Sequence, residues 1–246
     1  MSLDFYLLVV SFFFIALIYS SVGFGGGSSY LALLAVAGVG YELIRPTALL
    51  CNIVVVTGGT YIFFREKQLD LRRALPLVAV SVPAAFVGGY WKLDAHTFFV
   101  VLGITLVAAS ILLWIQPRAD KPRSSQSMGL HLFIGAGLGL LSGVVGIGGG
   151  IFLAPLLHLL RWDEARKIAA LASFFILVNS VSGLAGQLSR AATLPWDFVL
   201  PLLVAVLAGG QVGSRLSARQ FNAVYIKRIT AVLILLAGIN ILRDHW

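Results

Sequence analysis

The sequence has little charge. Only 11% of its 246 residues are Asp, Glu, Lys or Arg, whereas 59% are hydrophobic, and the mean hydropathy is +0.95. Soluble domains carry about a quarter charged residues, so a soluble enzyme is excluded and a polytopic membrane protein is indicated. The lipid bilayer is therefore the first partner that the composition predicts.

Cysteine and early basic residues are also scarce. Cys51 is the single cysteine and lies in an apolar run, so the chain can form no intrachain disulfide. No Lys or Arg precedes Arg45, which is the wrong charge for a secretory signal, and we expect the first segment to stay in the mature protein. The formal net charge of +8 falls in short loops, which indicates membrane topology and no nucleic acid partner.

Glycine, by contrast, is clustered in two copies of one motif. Residues 22–27 read VGFGGG and residues 145–150 read VGIGGG. Each copy lies inside an uncharged segment, 5–41 or 124–160, which as one helix would be about 55 Å long against roughly 30 Å of hydrocarbon. Because glycine destabilises a helix interior, the chain is predicted to turn at both motifs. Close helix packing at small residues is the alternative interpretation.

Charges, prolines and aromatic residues divide the chain into ten apolar runs. All five tryptophans fall at the ends of runs, where amphipathic rings favour the membrane interface. The runs are about 5–22, 28–40, 45–64, 74–90, 97–115, 129–144, 151–160, 167–186, 197–213 and 221–242.

The two halves of the chain align beyond the glycines. Glu42 stands 122 positions before Glu164, and the LPL sequence at 75–77 stands 125 positions before its copy at 200–202. Such self-similarity indicates an internal repeat. We predict an N-terminal repeat (1–116), a cytoplasmic linker (117–127) and a C-terminal repeat (128–246).

The positions of Lys and Arg predict how the repeats are oriented. If each glycine-broken segment ends on the side where it began, 14 of the 18 basic residues share one face and 4 share the other. This division obeys the positive-inside rule and places both termini in the periplasm. The predicted fold is therefore an all-α polytopic membrane protein with two inverted-topology repeats, each opening with a glycine-broken helical hairpin followed by three spans.

Broken helices in transporters of this architecture present backbone groups to the substrate near the midplane. The helices that resume after Gly27 and Gly150 would point N-terminal N–H donors and partial positive charge inward, an arrangement that suits an oxyanion. The candidate substrate-binding residues are Gly25, Gly26, Gly27, Ser28, Ser29, Asn52, Thr57, Gly148, Gly149, Gly150, Ser173 and Asn179. The candidate gating or entry residues are Arg45, Lys167 and Gln211.

Other chemistries have weak support. No Lys-Ser or Lys-Thr follows the glycines, as a nucleotide-binding loop would require, and His131 and His158 have no metal ligand at the usual spacing. We expect no enzymatic activity, no cofactor and no metal. All ten acidic residues fall in predicted loops or at span ends, so no buried carboxylate is predicted to relay protons.

These residues resemble the TauE/SafE family of sulfite and organosulfonate exporters. The resemblance extends from about Phe5 to Leu242 and depends on the paired glycine motifs and on RPT at 45–47, RK at 166–167 and NSVSG at 179–183. It implies export of a small sulfur oxyanion or sulfonate, such as sulfoacetate, across a bacterial inner membrane. The first half has Ser28 and Ser29 where the second has hydrophobic residues, so a strictly symmetric site is not expected.

Two alternatives stay open. One is a channel or carrier for another small anion or solute. The other is a structural or receptor-like membrane protein that transports nothing. The sequence does not fix the oligomeric state, and a homodimer is one option.

Overall fold

The structure is a computed structural model that describes residues 3–21, 25–115, 128–189, 194–216 and 223–245, apart from the side chains of residues 3, 216 and 223–227. This part of the chain forms ten α-helices and contains no strand. The predicted linker 117–127 and residues Met1, Arg190, Arg219 and Trp246 lie outside it. The helices are α1 (Leu3–Ser21), α2 (Gly27–Val36), α3 (Tyr41–Arg65), α4 (Leu71–Tyr90), α5 (Ala95–Trp114), α6 (Met128–Val145), α7 (Gly150–Leu159), α8 (Ala165–Leu188), α9 (Trp196–Leu216) and α10 (Ala223–His245).

Seven of the described helices are long and apolar enough to cross a membrane, judged by length and composition: α1, α3, α4, α5, α6, α8 and α9. α2 and α7 have 10 residues each, too few to cross roughly 30 Å of hydrocarbon at about 1.5 Å per residue. The prediction of an all-α polytopic membrane protein, with a glycine-broken hairpin opening each half, is confirmed. Cys51 is fully buried, as expected for a small apolar residue.

The helix contacts occur in matched pairs. α1 packs along α9 and α4 packs along α6, while α3 packs on α8 and α5 on α10. Each of the helices α1 to α5 has a counterpart five helices later in the chain. If each helix is replaced by its counterpart, the α1–α9 contact becomes the α6–α4 contact, and the α3–α8 and α5–α10 contacts become themselves. This is the pattern expected of two similar repeats.

Two of these pairs run parallel. A Cβ atom placed on Gly209 or Gly213 of α9 would meet the carbonyl oxygens of Phe13 and Leu17 in α1, in that order. The other parallel pair is α6 on α4, where glycines at 135 and 143 approach the carbonyls of residues 77 and 85. Small residues let the backbones approach this closely.

The other two pairs run antiparallel. Across α3 and α8, the Thr60 and Ser173 hydroxyls are 3.0 Å apart, and Arg166 at the start of α8 pairs with Glu66 after the end of α3 at 2.6 Å. Across α5 and α10, the Ser110 hydroxyl donates to the Ala231 carbonyl oxygen at 2.8 Å. A Cβ on Gly103 would lie 2.6 Å from Leu242. Residue numbers therefore rise along one helix as they fall along its partner.

The loops sort into two ends of the bundle. At one end, Arg73 of α4 pairs with Asp163 before α8 at 3.0 Å, close to the Arg166–Glu66 pair. The Trp162 indole also donates to His131 of α6 at 3.1 Å. The hairpin of α6 and α7 therefore starts and finishes at this end, which we call the ion-pair end.

The opposite end holds the N-terminal part of α1. Phe5 contacts Phe198 of α9 with ring centroids 5.5 Å apart, and His245 at the end of α10 stacks on Phe99 of α5 at 4.2 Å. Tyr41, which begins α3 after the first hairpin, lies 6.4 Å from the Phe98 ring. The hairpin of α1 and α2 thus also returns to the end where it began.

Candidate functional site

The chain turns at both glycine motifs, as predicted. The residue before α2, Gly26, has φ of 82°, and the residue before α7, Gly149, has φ of 80°. In the second motif Gly146 and Gly148 also have positive φ, at 90° and 82°. A side chain is strained in this left-handed region, so glycine is the residue that permits each turn.

The two glycine turns meet each other. A Cβ atom on Gly27 would lie 2.6 Å from the backbone carbonyl oxygen of Ile147 and would also clash with the Asn52 amide. All three residues are buried. The two motifs approach so closely that position 27 has no space for a side chain. Glycine is therefore required there whatever its φ angle. We call the place where residues 25–28 and 147–151 meet the glycine junction.

The long helices α3 and α8 enclose the glycine junction. Asn52 of α3 donates from Nδ2 to the Ile147 carbonyl oxygen at 3.0 Å, so the first half holds the turn of the second. Ile176 of α8 lies 2.8 Å from a Cβ on Gly148 and 3.2 Å from one on Gly25. One apolar side chain therefore packs against both turns.

The junction has free backbone donors. The N–H groups of Ser29 and Tyr30 donate to the Gly26 carbonyl oxygen, which leaves those of Gly27 and Ser28 without an acceptor in their helix. In α7, Phe152 and Leu153 donate to Gly149 in the same way. Neither helix has a side-chain cap at its N-terminus. Each start therefore presents N–H groups and partial positive charge.

Several buried polar atoms at or near the junction have no hydrogen-bond partner in the described part of the chain. They are Ser28 Oγ, Asn52 Oδ1, Asn179 Oδ1, Ser180 Oγ and Ser142 Oγ. All five side chains are at most 2% exposed. Buried polar groups are almost always hydrogen-bonded, so these atoms call for partners outside the described chain, such as water or a ligand.

Most of the predicted binding residues lie at this junction. The structure brings together Gly25, Gly26, Gly27, Ser28, Asn52, Gly148, Gly149 and Gly150. Asn179 lies on α8 between Ile176 and Ser180, and the Ser180 hydroxyl is 2.9 Å from a Cβ on Gly148. Asn179 thus shares the helix region that faces the second turn.

Other predicted residues have different neighbours. Ser29 is 2.6 Å from the Tyr19 hydroxyl, and Ser173 bonds to Thr60. Thr57 is exposed and donates to the Ile53 carbonyl of its own helix. Gln211 is exposed, with its amide 3.5 Å from a Cβ on Gly58. These four side chains are not among those in contact with the glycines of the junction.

The two predicted entry cations differ from each other. The Arg45 guanidinium donates to the carbonyl oxygens of Gly143 at 2.9 Å, Gly88 at 3.1 Å and Trp91 at 3.3 Å. It has no carboxylate partner among the described residues, and a Cβ on Gly146 would lie 3.2 Å from its Cα. Lys167 instead bonds to Asp163 at 3.2 Å at the ion-pair end.

Sequence reasoning missed Ile147 and Ile176. Ile147 contributes a backbone carbonyl, which every residue type carries, so no sequence signal marks it. Ile176 is one of many aliphatic residues in an apolar helix. Ser180 was also absent from the candidates, although a polar residue within an apolar span is a signal that could have found it.

A cavity of about 420 Å³ lies between α1, α2 and α10, beside the first turn. Its walls are apolar except near Tyr19, Ser21, Ser29 and Thr230. The position that corresponds to Ser29 in the second repeat is Phe152, a larger side chain that is 5% exposed. The two halves therefore differ beside their turns, as the Ser29–Phe152 difference predicted.

These features define a class of protein: a multi-pass α-helical membrane transporter with discontinuous helices that meet inside the bundle. The chain matches the family model described as sulfite exporter TauE/SafE over residues 8–241, and it belongs to that family.

Two relatives agree with this class. The probable membrane transporter protein y4hK of Sinorhizobium fredii is 34% identical over 243 residues, which cover 96% of this chain and 97% of that protein. A probable membrane transporter protein of Methanocaldococcus jannaschii is 26% identical over 197 residues, covering 74% of this chain and 72% of that protein. No solved structure matches the chain.

Proposed function

We propose that the protein exports small sulfur-containing anions, sulfite or a small organosulfonate such as sulfoacetate, and binds them at the glycine junction without converting them chemically. The observation that carries this proposal is the contact between Gly27 and the Ile147 carbonyl. It brings the uncapped starts of α2 and α7 together inside the bundle. The description of the family supplies the sulfur chemistry.

The charges near the junction favour an anion. The described acidic residues lie in loops or at helix ends, so no carboxylate there opposes a bound anion. The free N–H groups of Gly27, Ser28, Gly150 and Ile151 supply donors and partial positive charge. Arg45 adds a full positive charge whose guanidinium reaches the Gly143 carbonyl, three residues before the second motif turns.

We also propose that the two repeats are inverted in a bacterial inner membrane, with both termini periplasmic. The helix directions support the inversion, because α3 runs opposite to its counterpart α8, and α5 runs opposite to α10. The ion-pair end would face the cytoplasm, because Arg65, Lys67, Arg72, Arg73, Arg161, Arg166 and Lys167 lie there.

Cysteine labelling tests this orientation. Arg72→Cys at the ion-pair end should react with an impermeant maleimide only after the membrane is opened, whereas Lys92→Cys at the other end should react from outside. Both positions are exposed, and the buried native Cys51 gives a low background. Labelling of both variants from the same side would contradict the orientation.

Ligand binding tests the function. The purified protein is heated in the presence of sulfite, sulfoacetate, taurine, sulfate or chloride, and the same anions are used in proteoliposome flux assays. We expect a sulfur anion to raise the melting temperature most and to be transported. Greater stabilisation by chloride would favour a carrier or channel for another anion. No shift and no flux with any of them would leave a structural or receptor-like protein.

A further inference from the structure

The orientation of two buried amides at the glycine junction is fixed by their hydrogen bonds. Asn52 Nδ2 lies 3.0 Å from the Ile147 carbonyl oxygen, and Asn179 Nδ2 lies 2.8 Å from the Phe175 carbonyl oxygen. A carbonyl oxygen only accepts hydrogen bonds, so the NH₂ group of each amide must face it. Each amide therefore directs its oxygen, Oδ1, away from these bonds.

Both Oδ1 atoms are buried acceptors without a donor in the described part of the chain. The Asn52 side chain is fully buried, and its Oδ1 lies 2.7 Å from a Cβ on Gly25 and 2.9 Å from one on Gly27. It thus sits against the first turn, where the free N–H groups begin. Asn179 is also fully buried, beside Ser180, whose hydroxyl approaches Gly148.

The junction consequently offers acceptors as well as donors. Backbone N–H groups suit the oxygens of an anion, but an amide oxygen repels them and stays unsatisfied beside a ligand that has acceptors alone. The hydroxyls of Ser28 and Ser180 can donate or accept, so they favour neither case. A ligand that satisfies the whole junction must carry an O–H or N–H group besides its anionic oxygens.

The geometry points to a substrate class: anions that also bear a hydrogen-bond donor, such as hydrogensulfite or a sulfonate with a hydroxyl group, in preference to fully ionised sulfite or sulfoacetate, which bear acceptors alone. Asn52 Oδ1 and Asn179 Oδ1 accept from that donor, while the starts of α2 and α7 bind the anionic oxygens. This inference rests on the proposed function and adds the group that selects among small anions.

A pair of ligands with the same charge tests the inference. 2-Hydroxyethanesulfonate and ethanesulfonate differ by one hydroxyl, and their affinities are measured by thermal shift and by competition against sulfite in proteoliposomes. We expect the hydroxylated sulfonate to bind about tenfold more tightly, because a site built around a hydroxyl leaves its own groups unpaired when the hydroxyl is missing.

Variants of the two asparagines test whether their amides cause the preference for the hydroxylated sulfonate. Asn179→Leu keeps a similar volume and removes only an amide whose donor bonds within its own helix, so the variant should fold and should lose most of the tenfold preference. Gln68→Leu removes an amide in the loop between α3 and α4 at the ion-pair end, so it is the matched control and should keep the preference. A second variant, Asn52→Leu, should lose the preference in the same way.

Each outcome decides a separate point. Equal affinity of the two sulfonates in the wild type would overturn the inference and leave the proposed function standing. A preference that persists in both asparagine variants would overturn the assignment to these amides. Absence of binding by both sulfonates and by sulfite would overturn the proposed function together with this inference.

Discussion

The amide nitrogen of Asn52 lies 3.0 Å from the carbonyl oxygen of Ile147. Asn52 belongs to α3 of the first half, and Ile147 belongs to the turn of the second half, so this hydrogen bond joins the halves at the candidate site. Both residues are at most 3% exposed. A buried bond of this kind contributes to stability and also positions the turn that we propose as part of the anion site.

Asn52→Leu should destabilise the protein by about 1–3 kcal/mol, because the Ile147 carbonyl oxygen loses its donor while it stays buried. At roughly 2–4 °C per kcal/mol, the melting temperature in detergent should fall by several degrees. Thr57→Val on the same helix should change it little. An unchanged melting temperature in Asn52→Leu would show that the bond is not formed.

Gly26→Val and Gly149→Val should abolish transport and ligand-induced stabilisation. Positive φ costs a residue with a side chain about 1–2 kcal/mol, and a Cβ on Gly149 would also lie 2.8 Å from the Phe175 ring. Gly38→Val is the control, since Gly38 has φ of 69° but nothing within 4 Å of a Cβ. Full flux in both turn variants would assign the glycines to packing alone.

Asp163→Asn should destabilise the ion-pair end by about 1–2 kcal/mol. The side chain of Asp163 is 9% exposed and pairs with Arg73 and Lys167, so neutralising it leaves two cations beside a partly buried amide. Glu66→Gln removes only the exposed pair with Arg166 and should cost less than about 1 kcal/mol. Chemical denaturation of both variants measures the difference, and equal losses would contradict the burial argument.

Asp94→Asn should make the stability of the protein fall less steeply as the pH becomes acidic. The backbone N–H and hydroxyl of Thr97 donate to Asp94 at the start of α5 and lower the pKa of that carboxyl. A lowered folded pKa gives stability that is present above the unfolded value of about 3.9 and is lost as pH falls through the folded pKa. Asparagine also caps helices, so the neutral-pH melting temperature should change little.

The control for this pH experiment is Thr97→Val, which keeps the backbone N–H bond and removes the hydroxyl. It should reduce the pH dependence only in part. Melting temperatures recorded from pH 7 to below about pH 4 make the comparison. If the melting temperature of Asp94→Asn fell more steeply with decreasing pH than that of the wild type, the direction of the Asp94 pKa shift would be contradicted.

Export should be driven by the membrane potential without a carboxylate relay. An anion leaving a negatively charged interior gains about 2.3 kcal/mol per charge per 100 mV. Glu42 and Glu164, at matching positions of the repeats, are exposed at the starts of α3 and α8. Glu42→Gln and Glu164→Gln should therefore retain flux in proteoliposomes with an imposed potential. Flux that needs a proton or sodium gradient and stops in these variants would show another coupling.

The turns could be predicted from the sequence because glycine is the residue type that readily adopts the backbone conformation a turn needs. Gly26 and Gly149 adopt the positive φ that the clustered motif requires, and the flanking helices end within a few residues of the apolar runs. Basic residues and tryptophans similarly mark loops and interfaces. Composition and spacing were therefore sufficient for the helices and for most of the junction.

Contacts between distant helices could not be predicted in the same way. The Arg45 guanidinium lies on the carbonyls of Gly88, Trp91 and Gly143, and no sequence signal links these positions. Thr57 and Asn52 are both polar residues in α3, yet only Asn52 faces the junction, because the rotation of a nearly uniformly apolar helix is set by its neighbours. The inverted orientation of the repeats in the membrane stays a prediction.

The packing of α1 along α9 has a consequence for biosynthesis. α1 is synthesised long before α9, the helix against which it packs most extensively. The carbonyls of Phe13 and Leu17 meet Gly209 and Gly213 late, so the nascent chain holds α1 in lipid without its main neighbour. A chain truncated before α9 should consequently be recognised by membrane quality-control proteases, and its degradation would be rescued by supplying the C-terminal half as a separate polypeptide.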